Sequence, residues 1–297
     1  MKKTPYHIVI IAVILMLAGS FACGGDDATR VPNGNGDGDL ALIIDHTCCD
    51  ISAVPSNWVQ AAKDNLVIAY GHTSHGSQLV SGMDGLVGFA GSDYCFDGAG
   101  TGGCLEFRDT PFSGAADLGN PDRTAWAGAT RAYLDAHSEV NVVIWSWCGQ
   151  VSSASTSDID TYLNLMNGLE LDYPAVQFVY MTGHLDGTGH PGNLHTRNEQ
   201  IRSYCRTNNK ILYDFADIES WDPDGAYYCD KMANDNCDYD SDNNGSRDAN
   251  WATAWQNAHA GEWYDCSSAH SQPLNANLKA YAAWWLWARL AGWPGHS

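Results

Sequence analysis

Four adjacent positions, His72, Thr73, Ser74 and His75, place two hydroxyls between two imidazoles, and Gly76 and Ser77 follow directly. A serine hydroxyl is a poor nucleophile at neutral pH. It becomes an effective one when a histidine base lies within hydrogen-bond reach and donors face the oxyanion formed on the attacked carbonyl. The same Ser/Thr cluster ahead of a helix is also an ordinary N-cap, so the local pattern admits either use. The set His72, His75, His184, Asp186, His190, His195 and His270 holds the ligand types of a catalytic metal, although no pair has the helical His-x-x-x-His spacing.

These residues need elements to position them. Residues 66–70 form a short apolar run of the kind that makes a buried parallel strand, and from Gln78 onward Leu79, Met83, Leu86 and Phe89 recur at helical spacing. The HTSHG cluster therefore sits at the carboxyl end of a strand and the amino end of a helix, where open α/β sheets bind ligands. The pattern repeats: a helix is expected over 123–137, then a strand over 140–147 ending in Cys148, Gly149 and Gln150. A helix over 157–171 leads to a strand over 175–182 ending in Gly183, His184, Leu185 and Asp186, and a helix over 194–208 leads to a strand from 211. This alternation specifies a three-layer α/β/α sandwich with a mostly parallel, flavodoxin-like sheet. A last amphipathic helix, 273–293, carries Trp284, Trp285 and Trp287 as core rather than as a sugar platform.

Lys2 and Lys3 precede an apolar stretch that ends in small residues, which reads as a secretory signal over 1–22. Cys23 follows Ser20-Phe21-Ala22 as in a bacterial lipobox, so a lipid anchor at Cys23 is expected on an exported lipoprotein, with simple secretion as the alternative. Residues 23–40 are rich in Gly and Asp and read as a flexible linker; residues 41–297 suffice for one domain. A formal charge of −20 argues against nucleic acid and anionic membrane as partners. Ten cysteines in an exported chain suggest disulfides: Cys95–Cys104 and Cys229–Cys237 close short loops, and Cys148, in an apolar strand end, is a candidate for a free thiol.

A serine in a Gly-x-x-Ser turn after an early strand, a Gly-containing block after a middle strand and a histidine just before the last helix resemble the SGNH (GDSL-like) hydrolase family. The resemblance implies a serine esterase or acylhydrolase acting on a small-molecule or glycan ester without a catalytic cofactor. It assigns Ser74 as nucleophile and His270 as base, with Gly149, Gln150 and either Gly119 or Gly114 at the oxyanion hole. Backbone N–H groups near His75 and Gly76 would assist, and His72, His184 and Asp186 would line the substrate site. The family pattern has Asp where Thr73 stands, Asn where Gln150 stands, and Asp three residues before the histidine, where Ser267 stands. Asp265 is the nearest upstream acid and the expected partner of His270, with Asp186 as the alternative.

Within an acidic insertion near 229–250, Asp240, Asp242, Asn244, Ser246 and Asp248 alternate as in the first half of an EF-hand loop, with Gly245 at the turn. Trp251 replaces the bidentate glutamate, so Asp238 would have to complete a structural Ca²⁺ site. Trp251, Trp255 and Trp263 support a third class, a non-enzymatic surface protein that binds glycans.

Overall fold

In the computed structural model, residues 40–295 are described; the leader, Cys23 and the linker through residue 39 lie outside them. The chain order is β1 (Leu42–Ile44), α1 (Ser56–Asn65), β2 (Val67–Gly71), α2 (Ser77–Ala90), β3 (Phe96–Asp97), β4 (Leu105–Asp109), α3 (Ala125–Ala136) and β5 (Val142–Trp145). It continues through α4 (Thr156–Asp172), β6 (Gln177–Met181), α5 (Asn193–Thr207), β7 (Ile211–Tyr213), α6 (Phe215–Ile218), β8 (Asp238–Tyr239), β9 (Ala249–Asn250), α7 (Trp251–Ala258) and α8 (Pro273–Leu290). The seven-stranded sheet has the order β1-β7-β6-β5-β2-β4-β3, and every pairing in it is parallel. The three-layer α/β/α expectation is met.

The strands are apolar on both faces because the pleat sends alternate side chains into two cores. Ile68, Tyr70, Val142, Ile144 and Val179 face the layer holding α1, α2 and α8, whereas Ala69, Val143, Trp145, Phe178 and Tyr180 face the layer of α3, α4 and α5. Trp284, Trp285 and Trp287 are buried in the first core. Two elements ahead of β2 were not anticipated: β1 is only three residues long, and α1 is a short, ten-residue helix without a side-chain N-cap.

β2 and β5 are adjacent, with Gly71 opposite Trp145. The chain leaves β2 toward the β3 edge and leaves β5 toward the β1 edge, so their carboxyl ends flank the place where the strand order reverses and a crevice opens. Gly71 is required there, because a Cβ would overlap the Trp145 indole.

The Cys95–Cys104 disulfide forms and closes the loop before β4. Cys229–Cys237 does not: both are free, buried thiols, as each sits in a different environment. Cys229 packs with Leu185, Ala216 and Ala233, while Cys237 lies in the core under α8 with its sulfur 3.6 Å from Ser271 Oγ. Cys148 is free, together with Cys48, Cys49, Cys205 and Cys266. Among the described residues no helix is long and apolar enough to cross a membrane.

Candidate active site

Ser74 and His270, 196 positions apart, meet at the carboxyl edge of the sheet with Ser74 Oγ 2.6 Å from His270 Nε2. Both residues have left-handed backbone, φ 46° for Ser74 and φ 62° for His270, a conformation uncommon outside glycine that clusters at functional sites. Ser74 opens the 3-10 turn Ser74–Gly76 between β2 and α2, where Ser77 Oγ donates to the Ser74 carbonyl at 2.6 Å and Tyr70 Oη donates to the Gly76 carbonyl at 2.9 Å. The turn lies flat on β5, since a Cβ on Gly76 would overlap Ser146 Oγ. Gly76→Ala is therefore expected to displace the serine turn and to destabilise the fold by about 1–3 kcal/mol, the usual cost of overpacking, which urea unfolding checks.

Three imidazoles stack beside the serine. His75 packs face to face on His184 with ring centroids 3.5 Å apart, and on its other side lies His270 at 4.6 Å. His75 Nε2 contacts Asp235 Oδ2 at 2.9 Å. Burial is the largest single influence on Asp235 and disfavours its ionisation, but the hydrogen bond from His75, the attraction of His184 and His75 and the Asn236 N–H together outweigh it and hold the carboxyl below its usual range. His184 is buried; because a carbonyl only accepts, its contact of 2.8 Å with the Leu185 oxygen makes Nδ1 the protonated nitrogen. Burial, working against the attraction of Glu219, keeps the His184 ring neutral to lower pH than usual. Its Nε2 is buried without a hydrogen-bond partner.

Beneath these loops lies a buried hub. Lys279 on α8 is fully enclosed, and its Nζ donates to Glu219 Oε1 at 2.6 Å and to Gln78 Oε1. Gln78 Nε2 in turn donates to the carbonyl of Ala269, the residue before His270, and Glu219 Oε2 accepts from the N–H of Leu185, the residue after His184, at 2.8 Å. One ion pair thus ties together the loops that carry Ser74, His270 and His184.

Several expected site residues are placed elsewhere. Asp265 is exposed, and no hydrogen bond among the described residues joins it to His270; the tight backbone turn before His270 and the intervening Cys266–Ala269 segment carry it away. Asp186 caps Thr188 and lines a separate cavity of about 150 Å³ with His195, Arg202 and Cys229, so it does not orient the base. Gly119 gives its N–H to Asp117 Oδ1 at 2.8 Å, and Gln150 Nε2 donates to the same oxygen at 3.0 Å. These two of the expected oxyanion donors are thereby engaged by one buried carboxylate, whose Oδ2 also accepts from Thr73 Oγ1. Gly114 is exposed on the loop beyond. Gly149 remains at the site: a Cβ on it would stand 3.8 Å from His184 Nε2. His72 turns to Asp109, 2.6 Å from its Nε2, and with Thr73, Phe112, Ala115, Ala116 and Trp145 lines a cleft of about 270 Å³ beside the serine turn.

Asp117 and Asp235 were missed by sequence reasoning. Asp117 carried a faint signal, an Asx-turn pattern two residues before Gly119; Asp235 carried none, being one acid in an acidic loop.

The 240–248 loop forms the tip of the β8–β9 hairpin. Its acids are occupied by local donors: Asp240 accepts from the N–H groups of Asn244 and Gly245, Asp242 from that of Asn244, and Asp248 from that of Ser241. Asn244 Oδ1 accepts from the Ser246 N–H, and Asp238 from the Asn236 and Asn250 amides. Among the described residues, the groups in which three His, Cys, Asp or Glu ligand atoms converge lie elsewhere. Trp251 and Trp255 are buried, and half-buried Trp263 donates its indole N–H to the Gln256 carbonyl, so these three do not form an exposed aromatic platform.

No family model matches the chain, and no curated protein matches it.

Proposed function

We propose that the protein is a serine esterase that cleaves esters of small acyl groups through Ser74 and His270. The observation that carries this reading is the 2.6 Å contact between Ser74 Oγ and His270 Nε2, made between strained backbone positions at the sheet's switch point. His270 Nε2 takes the serine proton as Oγ attacks the ester carbonyl, then returns it to the departing alkoxide. Backbone N–H groups of His75 and Gly149 face the developing negative charge, and a water activated by the same imidazole releases the acyl group. The cleft walled by Phe112, Ala115, Ala116 and Trp145 supplies an apolar site of a size suited to a short chain.

His270 has no carboxylate of its own in this scheme. Its ring instead rests on His75, whose far nitrogen contacts Asp235, so the imidazolium formed during attack lies near a carboxylate reached through one intervening ring. A base supported so indirectly still acts, at a lower rate than one with a directly bonded acid.

A fluorophosphonate, which traps activated serines covalently, tests this reading. Peptide mass mapping is expected to place the adduct on Ser74 alone, with no labelling in His270→Ala. Modification of another serine, or equal labelling of the His270 variant, would count against the dyad.

A further inference from the structure

We infer that His75, His184 and Asp235 bind one divalent first-row transition metal ion beside Ser74, where it polarises the substrate carbonyl. One ligand atom from each of the three lies within 4.8 Å of the others. Ligands on metal bonds of about 2.1 Å sit roughly 3–3.5 Å apart, so binding one ion here requires the His75 and His184 rings to turn out of their parallel stack until both in-plane lone pairs converge.

The state of His184 points to the same ion. Its Nδ1–H is fixed on the Leu185 carbonyl, the outer-sphere bond that metal-ligating histidines habitually make, so Nε2 carries the lone pair. That Nε2 is buried, on a residue only 8% exposed, and among the described residues no group donates to it. An orphaned acceptor in so enclosed a place is unfavourable unless something fills it. Asp235 supplies the negative charge that a cation needs, and His75 Nε2 already faces it. Two imidazoles and one carboxylate with coordination positions left over form the donor set of catalytic zinc and related ions, not of calcium or magnesium.

The location gives the ion its task. Two donors that the resemblance to SGNH hydrolases would place at the oxyanion, the Gly119 N–H and the Gln150 amide, are committed to Asp117. The His75 ring lies 4.6 Å from that of His270, which holds Ser74 Oγ at 2.6 Å, and Gly149 borders His184 Nε2, so a cation held by His75 and His184 would lie beside the Ser74–His270 pair. It would act as a Lewis acid on the substrate carbonyl oxygen while Ser74 remains the nucleophile. The metal site is separable from the serine reading on which its catalytic role rests.

The test uses the full chain stripped with a chelator and reloaded with Zn²⁺ in calorimetry or Co²⁺ in visible absorption. One ion per chain is expected, with affinity falling at least about 100-fold in His184→Ala and in Asp235→Asn, while Ser74→Ala binds as tightly as the parent. Cys229→Ser serves as the control for the separate His190, His195 and Cys229 cluster and is expected to leave the tight site unchanged. Circular dichroism confirms folding of each variant, and His184→Gln substitutes if the alanine variant does not fold. Absence of a bound ion in the stripped and reloaded parent, or equal affinity in the folded His184 and Asp235 variants, overturns the site. Full ester hydrolysis by metal-free protein would overturn the Lewis-acid role while sparing Ser74, and activity in Ser74→Ala would remove the serine reading while sparing the metal.

Discussion

Ser74→Ala is expected to lower kcat/KM for a short-chain ester by about three to four orders of magnitude, the scale on which removal of a nucleophile in a cooperating set is felt. Stability should hardly move. Ser74 Oγ is half-buried, its hydrogen bond runs to the exposed ring of His270, and alanine bears the same left-handed backbone as serine, so the unfolding free energy should stay within about 0.5 kcal/mol. His270→Ala should cause a loss of similar size. The double variant should be scarcely worse than either single one, because in the proposed mechanism the two side chains share a single proton-coupled step. Turnover in Ser74→Ala comparable to that of the parent, measured on protein shown to be folded, would end the esterase proposal. Additive losses in the double variant would instead mean that serine and histidine act in separate steps.

The largest effect on stability is expected from Lys279→Met. Lys279 and Glu219 are both fully buried, and burial pulls the Lys279 ammonium below its ordinary range against the hold of Glu219. Removing the lysine leaves a carboxylate without its counter-charge in the core, which costs about 3–5 kcal/mol. The second variant, Lys279→Met with Glu219→Gln, removes the stranded charge while keeping an oxygen for the Leu185 N–H, and it should regain most of that loss. Urea unfolding of the two variants checks both values, the single variant's midpoint lying well below that of the double. A single variant as stable as the parent would show that the pair is dispensable. Because Gln78 couples Lys279 to the backbone before His270, the stable double variant should retain its fold but lose some kcat, as the base is less firmly positioned.

What the sequence determined by itself was the layering and the edge. Apolar runs at 66–70, 140–147 and 175–182 alternate with helical spacing, and local periodicity of this kind depends only on which faces must be buried. Ser74 and His270 were also legible, because each stands in a short polar turn directly before a patterned helix. Their partners were not. Asp235 approaches His75 from 160 positions away, and Asp117 collects Thr73, Gly119 and Gln150 from three separate loops. A carboxylate's partner is chosen by which loops the closed sheet brings within about 3 Å, and spacing along the chain carries no record of that distance. The same reason separates Cys229 from Cys237 and spends the acids of the 240–248 loop on their own backbone: proximity in sequence offered those pairings, and only the packed fold decided where each side chain would point.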